Sequence, residues 1–188
     1  MTRSTKCFGN RARSIPIANS VHIVETTRLL LREVTVDDAQ FILELLNTPK
    51  FIKYIGDRGV RSVDDARDFI DAKYRQSYHD HGYGLYTVEV KAGSTPVGVC
   101  GFVKRDTLPG PDIGFAFLPE FEAKGYGFES ASAVIDYGRD TLGFEQVFAI
   151  TSQDNDVSGK LLEKLGLRFD KLIMMPNGEE LKLFEIQL

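Results

Sequence analysis

Several things are scarce or missing in this chain of 188 residues, and each omission closes off a class of function. There are two cysteines, Cys7 and Cys100. They lie far apart, without metal-ligand spacing or a disulfide framework, so a reducing, cytoplasmic setting is expected. No apolar run approaches the roughly 20 residues needed to cross a bilayer, so no membrane partner is expected. Positive charge is not in excess: 23 Lys and Arg stand against 27 Asp and Glu, a net charge of -4. That argues against nucleic acid as the main partner, because phosphate binding needs clustered cations. A Gly-x-Ser-x-Gly elbow is absent, which leaves serine hydrolase chemistry without support. His79 and His81 have no cysteine or further histidine beside them; "HDH" reads as a loop, and no metal is expected. Internal repeats and low-complexity tracts are also missing.

The first twenty residues, "MTRSTKCFGNRARSIPIANS", carry Arg3, Lys6, Arg11 and Arg13 and no acid. They lack the apolar core of a secretory leader. Two readings stand, a bland, flexible basic extension over 1–20 and a transit peptide, with a single domain over 21–188.

The periodic part begins at "ETTRLLLREVT". Leu29, Leu31 and Val34 predict a strand near 28–35. Thr35 with Asp38, and Ser62 with Asp65, have the spacing of capping boxes. Ile42, Leu45 and Leu46 follow the first box, and Ala66, Phe69, Ile70 and Tyr74 the second, at helical spacing. The period then changes. "YGLYTVEV", "PVGVCGFVKR" and "DIGFAFL" read as strands joined by turns. A helix follows near 126–142, then the strand "EQVFAITS", then a short helix with Val157, Leu161, Leu162 and Leu165 on one side and Gly166 as its stop. "RFDKLIMM", "PNGE" and "ELKLFEIQ" close the chain as a hairpin. The order of seven strands mixes an antiparallel meander with one β-α-β crossover, so the fold class is α+β, or mixed α/β. Tyr83 and Tyr86 fit packing on a strand face, with lining of an acceptor cleft as the alternative.

Between the third meander strand and the long helix lies "FEAKGYGFES". Glycines ahead of a helix let a ligand approach the backbone closely. The first amides of a helix lack internal partners, and the dipole there favours an anion. Lys124 adds positive charge. A Walker loop would need Gly-Lys-Ser/Thr, and "SGKL" at 158–161 lies in the wrong surroundings. A dinucleotide fingerprint would need a third glycine where Ser130 stands.

"IGFAFLPEFEAKGYGFESASAVIDYG" resembles the acetyl-CoA signature of the GNAT superfamily of N-acetyltransferases. "TSQDNDVSGKLLEKLGLRF" looks like that family's next segment. The opening "VETTRLLLREVTVDDAQFILELLN" is similar to the branch of ribosomal-protein N-terminal acetyltransferases of the Rim type. The resemblance covers about residues 24–188 in order. It implies a central, mostly antiparallel sheet of about seven strands flanked by helices. It also implies acetyl-CoA as acyl donor and a primary amine, on a protein N-terminus or a small molecule, as acceptor.

By position, Phe117 and Leu118 would then offer backbone groups to the pantetheine arm. The amides of Gly125, Tyr126, Gly127, Phe128 and Glu129 would hold the pyrophosphate, with Lys124 nearby. Asn155 would bond the pantetheine, cap the next helix, or both. Ser158 would donate a proton to the leaving thiolate, or serve as an ordinary first-turn serine. Lys160 would meet a cofactor phosphate or stay solvated. Asp112 would accept the amine's proton through water, or sit as a surface aspartate in the "PGPD" turn. Attack would be direct, in a ternary complex.

Glu122 departs from the family's usual Gln or Arg, and Ala123 stands for a frequent glycine. Glu122 alone supports one rival reading, a non-catalytic acyl-CoA-binding or sensor module. A homodimer is compatible with the sequence but not specified by it.

Overall fold

The computed structural model describes residues 21–188; the basic extension over 1–20, including Cys7, lies outside the described residues. Eight strands form one sheet: β1 (His22–Glu25), β2 (Leu29–Glu33), β3 (Leu85–Val90), β4 (Thr95–Val103), β5 (Asp112–Phe117), β6 (Gln146–Ser152), β7 (Arg168–Met174) and β8 (Glu180–Gln187). Their spatial order is β1-β2-β3-β4-β5-β6-β8-β7. Every neighbouring pair is antiparallel except β5 and β6. The mixed class is therefore as expected, with one strand more than the seven read from the sequence. β1 is the addition.

Six α-helical segments flank the sheet: α1 (Ala39–Leu46), α2 (Pro49–Tyr54), α3 (Val63–Phe69), α4 (Gln76–His81), α5 (Tyr126–Asp140) and α6 (Asp156–Lys164). A π-helical stretch over Ile70–Arg75 fuses α3 to α4. The Ser62 box forms in full: the Ser62 hydroxyl accepts from the Asp65 amide at 3.1 Å, and the Asp65 carboxylate accepts from the Ser62 amide at 2.9 Å. "HDH" forms the last turn of α4 and not a loop. Gly166 ends α6 at φ +94°, the left-handed stop that glycine adopts freely. Val157 departs from the expected apolar side of α6: it is 77% exposed, whereas Leu162 is buried.

The main core lies between the sheet and α5, where Phe102, Ile113, Val134, Val147 and Leu162 meet. A second core packs α1 to α4 on the opposite face of β2–β5. Tyr86 belongs to the first, and Tyr83 sets its ring edge-on against Phe102 and Phe144. Both tyrosines are packing residues.

The Thr35 box has a further purpose. Asp38 accepts the Thr35 amide at 2.8 Å and also takes both terminal nitrogens of Arg32 at 2.8 Å. Arg32 reaches Glu89 on β3 at 3.1 Å. All three charges are buried, so β2, β3 and the entry to α1 are locked by one guanidinium. Removing a single member of a buried ion cluster strands the others without solvent. Arg32→Met is expected to destabilise the protein by about 3–5 kcal/mol, measured by urea denaturation.

Candidate active site

β5 and β6 touch at one point. Their ladder consists of the single pair Asp112 and Phe148, with the Phe148 amide donating to the Pro111 carbonyl at 2.9 Å. Beyond that pair the strands part. β5 stays fully paired to β4 along its other edge, and β6 to β8. Backbone direction alternates along a strand. The Leu118 amide donates to Val97 on β4 at 2.9 Å, so the odd-numbered groups, Phe115 and Phe117, face the opening. Leu118 therefore departs from expectation: its amide is spent on Val97 and its carbonyl on the Phe121 amide. The backbone groups of Phe117 stay on the open edge of β5.

The wide end of the gap leads to the glycine turn. Gly125 is the residue ahead of α5, with φ +83°, a conformation that strains any other side chain. An added Cβ at Gly127 would come within 3.2 Å of Leu161 and 3.6 Å of Phe117. Both glycines keep the backbone open. The amides of Tyr126, Gly127 and Phe128 occupy the unpaired first turn of the 15-residue α5. Glu129 departs from its expected part, because its amide already donates to the Gly125 carbonyl at 3.1 Å. Its carboxylate turns away to accept from the Thr26 hydroxyl at 2.6 Å and from Arg28 Nε at 2.7 Å.

Arg28 is a residue that sequence reading missed. It sits over the Tyr126 ring at 4.7 Å and donates to the Lys124 carbonyl at 3.1 Å. It thereby clamps the turn from the β1–β2 side. The Lys124 ammonium lies 4.9 Å above the Phe121 ring. Ala123 adopts φ +57°, so the turn carries backbone strain at the position where the family resemblance implies glycine. Glu122, the other departure, is matched by an ion pair to Lys50 on α2.

Across the gap, Asn155 caps α6. Its side-chain oxygen accepts from the Ser158 amide at 3.2 Å, which leaves the amide NH₂ of Asn155 for another partner. Ser158 is half-buried at this helix start; Lys160 is exposed and makes no ion pair among the described residues.

Asp112 is not a surface turn residue. It is 2% exposed, at the vertex where the two strands part. Arg105 donates to one carboxylate oxygen at 2.5 Å, and the other oxygen has no partner. Burial pushes the Asp112 carboxyl up to about 6, against the opposing pull of Arg105 and of the Ile150 amide. Asp112 and Ser158 lie on opposite sides of the channel, on β5 and at the start of α6. The chain turns after β6, and Gly159, next to Ser158, sits against Phe184, the β8 partner of Ala149.

A family model described as "Acetyltransferase (GNAT) domain" matches residues 28–168. The chain belongs to the GNAT acetyltransferases. It is 28% identical over 160 residues to an uncharacterized N-acetyltransferase, YoaA, of Bacillus subtilis, spanning 83% of this chain and 90% of that protein. A GNAT-family acetyltransferase from Bacillus anthracis superposes with TM-score 0.72 at 24% identity, covering 87% of this chain and 97% of that one. A ribosomal L7/L12 α-N-protein acetyltransferase, RimL, solved with coenzyme A, also superposes with TM-score 0.72, at 14% identity, over 89% and 98% of the two chains. At these identities the solved neighbours establish the fold alone. Among the described residues no group of three or more His, Cys, Asp or Glu could hold a metal ion, and no helix is long and apolar enough to cross a membrane.

The Asp112 environment gives the GNAT domain a pH signature. A carboxyl near pKa 6 when folded and about 3.9 when unfolded holds its proton more tightly in the folded state. Its favourable contribution is complete below about pH 4 and is lost as pH rises through 6. Asp112→Asn cannot ionise. It is expected to exceed the natural chain in stability by about 1–3 kcal/mol at pH 8, with the gap closing toward pH 4. Paired urea titrations at the two pH values check this.

Proposed function

We propose that this GNAT domain transfers an acetyl group from acetyl-CoA to a primary amine by direct attack in a ternary complex. The observation that carries the reading is the continuity of two unpaired backbone surfaces. The free edge of β5 at Phe115 and Phe117 runs into the free amides of Tyr126, Gly127 and Phe128. An extended amide-bearing arm ending in a diphosphate suits both at once. The arm takes the place of the missing strand, and the diphosphate takes the helix start. Lys124, Gly125 and Lys160 stand at the charged end, and the free NH₂ of Asn155 faces the arm. The chemistry then needs a neutral amine, a stabilised carbonyl oxygen and a protonated thiolate. Asp112 at the vertex takes the amine's proton through water, and Ser158 returns one to the thiolate. The acceptor is a protein N-terminus or a small-molecule amine.

Thiol release from acetyl-CoA in the presence of mixed amines and peptides tests the reading. Asp112→Asn is expected to lower kcat/KM by about 10²–10³ and to abolish the fall in activity expected of the natural chain below pH 6. A protein that binds acetyl-CoA but releases no CoA with any amine is the sensor module instead.

Arg28→Met should loosen the turn without touching the reacting atoms. The KM for acetyl-CoA is expected to rise by about 5- to 10-fold, equivalent to about 1 kcal/mol, with kcat held; steady-state kinetics separates the two.

A further inference from the structure

The loop that leads into Asp112 is built around Phe148. Residues 104–111, "KRDTLPGP", join β4 to β5. Leu108 is buried and packs with Phe148 and Leu183. Gly110 lies so close to the Phe148 ring that an added Cβ would stand 2.9 Å from it. The Pro111 carbonyl accepts the Phe148 amide at 2.9 Å. Pro109 and Pro111 stiffen the backbone by fixing φ. The Leu108 amide donates to the Arg105 carbonyl at 3.2 Å and closes a turn. Seated on one β6 residue, the loop brings Arg105 back onto Asp112.

That contact is one-sided. Arg105 Nε donates to Oδ2 of Asp112 at 2.5 Å, while Oδ1 is buried without a partner. A guanidinium can grip both carboxylate oxygens, as Arg32 grips Asp38. Here it holds one and leaves the other. The remaining neighbours supply no second cation. β5 packs against β4, β6 and α5. β4 places Val103 beside Asp112, and β6 places Phe148 there. α5 lies on the opposite face, against Ile113, and its charges Asp136, Arg139 and Asp140 pair with one another. Glu185 stands one strand beyond Phe148, and Arg168 beyond Glu185. Lys104 and Asp106, on either side of Arg105, are exposed. Among the described residues, Arg105 is the one charge that pulls on the carboxyl, assisted by the Ile150 amide.

We propose that Arg105 is a positioning residue for acetyl transfer: by holding Oδ2 it fixes Oδ1 as the oxygen that receives the amine's proton. This rests on the transferase reading with Asp112 as base. As the nitrogen bonds to the thioester carbon, its proton passes through water to Oδ1 and on to solvent. The thiolate leaves with its bonding pair and takes the Ser158 proton, which solvent replaces. The adjacent guanidinium also favours the ionised carboxylate against the cost of its burial.

The pH profile of kcat/KM for CoA release tests this. In the natural chain activity is expected to fall below about pH 6. Arg105→Met should move that fall upward by about 1–3 pH units, a loss of about 2- to 100-fold at pH 7 that shrinks as pH rises. Arg105→Gln is neutral too and supplies the same test should Arg105→Met fail to fold. Arg105→Lys keeps the charge without the planar fork, so the fall should stay closer to pH 6 while a loss persists at every pH. On an Asp112→Asn background, Arg105→Met should change kcat/KM by less than about 2-fold, because Arg105 acts through the carboxylate. A fall that stays at pH 6 in the Met and Gln variants, or an equal loss with and without the Asp112 carboxylate, makes Arg105 a tie of the loop alone and leaves the transferase reading standing. No CoA release from the natural chain with any amine defeats the transferase reading, and the positioning with it.

Discussion

The parting of β5 from β6 is the constraint on which the rest depends. A parallel pair that makes one register contact and then diverges leaves two strand edges unpaired in the middle of a sheet. Such edges are normally a liability, because buried amides and carbonyls need partners. The divergence persists because each strand is committed elsewhere. β5 carries six registered pairs with β4, and β6 carries seven with β8, so closing the gap would shear one half-sheet against its helices. α5 packs across the same region through Val134 and Ile135, sharing a core with Ile113 on β5 and Val147 on β6. The core holds the halves together while the backbone keeps them apart.

That arrangement explains why Asp112 is tolerated where it is. A carboxylate 98% removed from solvent, with one oxygen unsatisfied, is unfavourable for folding. Arg105 offsets part of this, yet the carboxyl still lies well above its ordinary range. Stability alone would select an asparagine or an apolar residue. A group poised near neutrality at the vertex of the channel is what proton transfer requires.

Much of this was legible in the sequence, and the rest was hidden for one reason. Capping boxes, the Gly166 stop, the hairpin and the glycine turn are relations between residues close in the chain, and each is found where its spacing placed it. α2 was not read from the sequence: Thr48 as cap and Pro49 at the first helical position mark its start, but its six residues are too short to display an apolar period. Relations across the sheet leave no trace in spacing. Nothing in the chain order reveals that Arg32 joins Asp38 to Glu89, that Arg28 holds Glu129, or that Leu118 spends its amide on β4. The errors at Leu118 and Glu129 have the same origin: a motif names a stretch, whereas alternation and the first helical hydrogen bond decide which groups in it are free.

α2 links these observations. Lys50 pairs with Glu122 just before the glycine turn, and Lys53 pairs with Asp154 at 2.7 Å, just before the Asn155 cap. One short helix thus touches both lips of the gap, and Glu122, a departure from the family pattern, is half of one of these contacts. Each pair is exposed, so each contributes only about 0–1 kcal/mol and weakens with salt. Their value is geometric. Two weak ties at the ends of a rigid rod fix the separation of the lips more closely than either fixes its own residue. The same weakness leaves the lips free to shift with salt, since exposed pairs are readily screened.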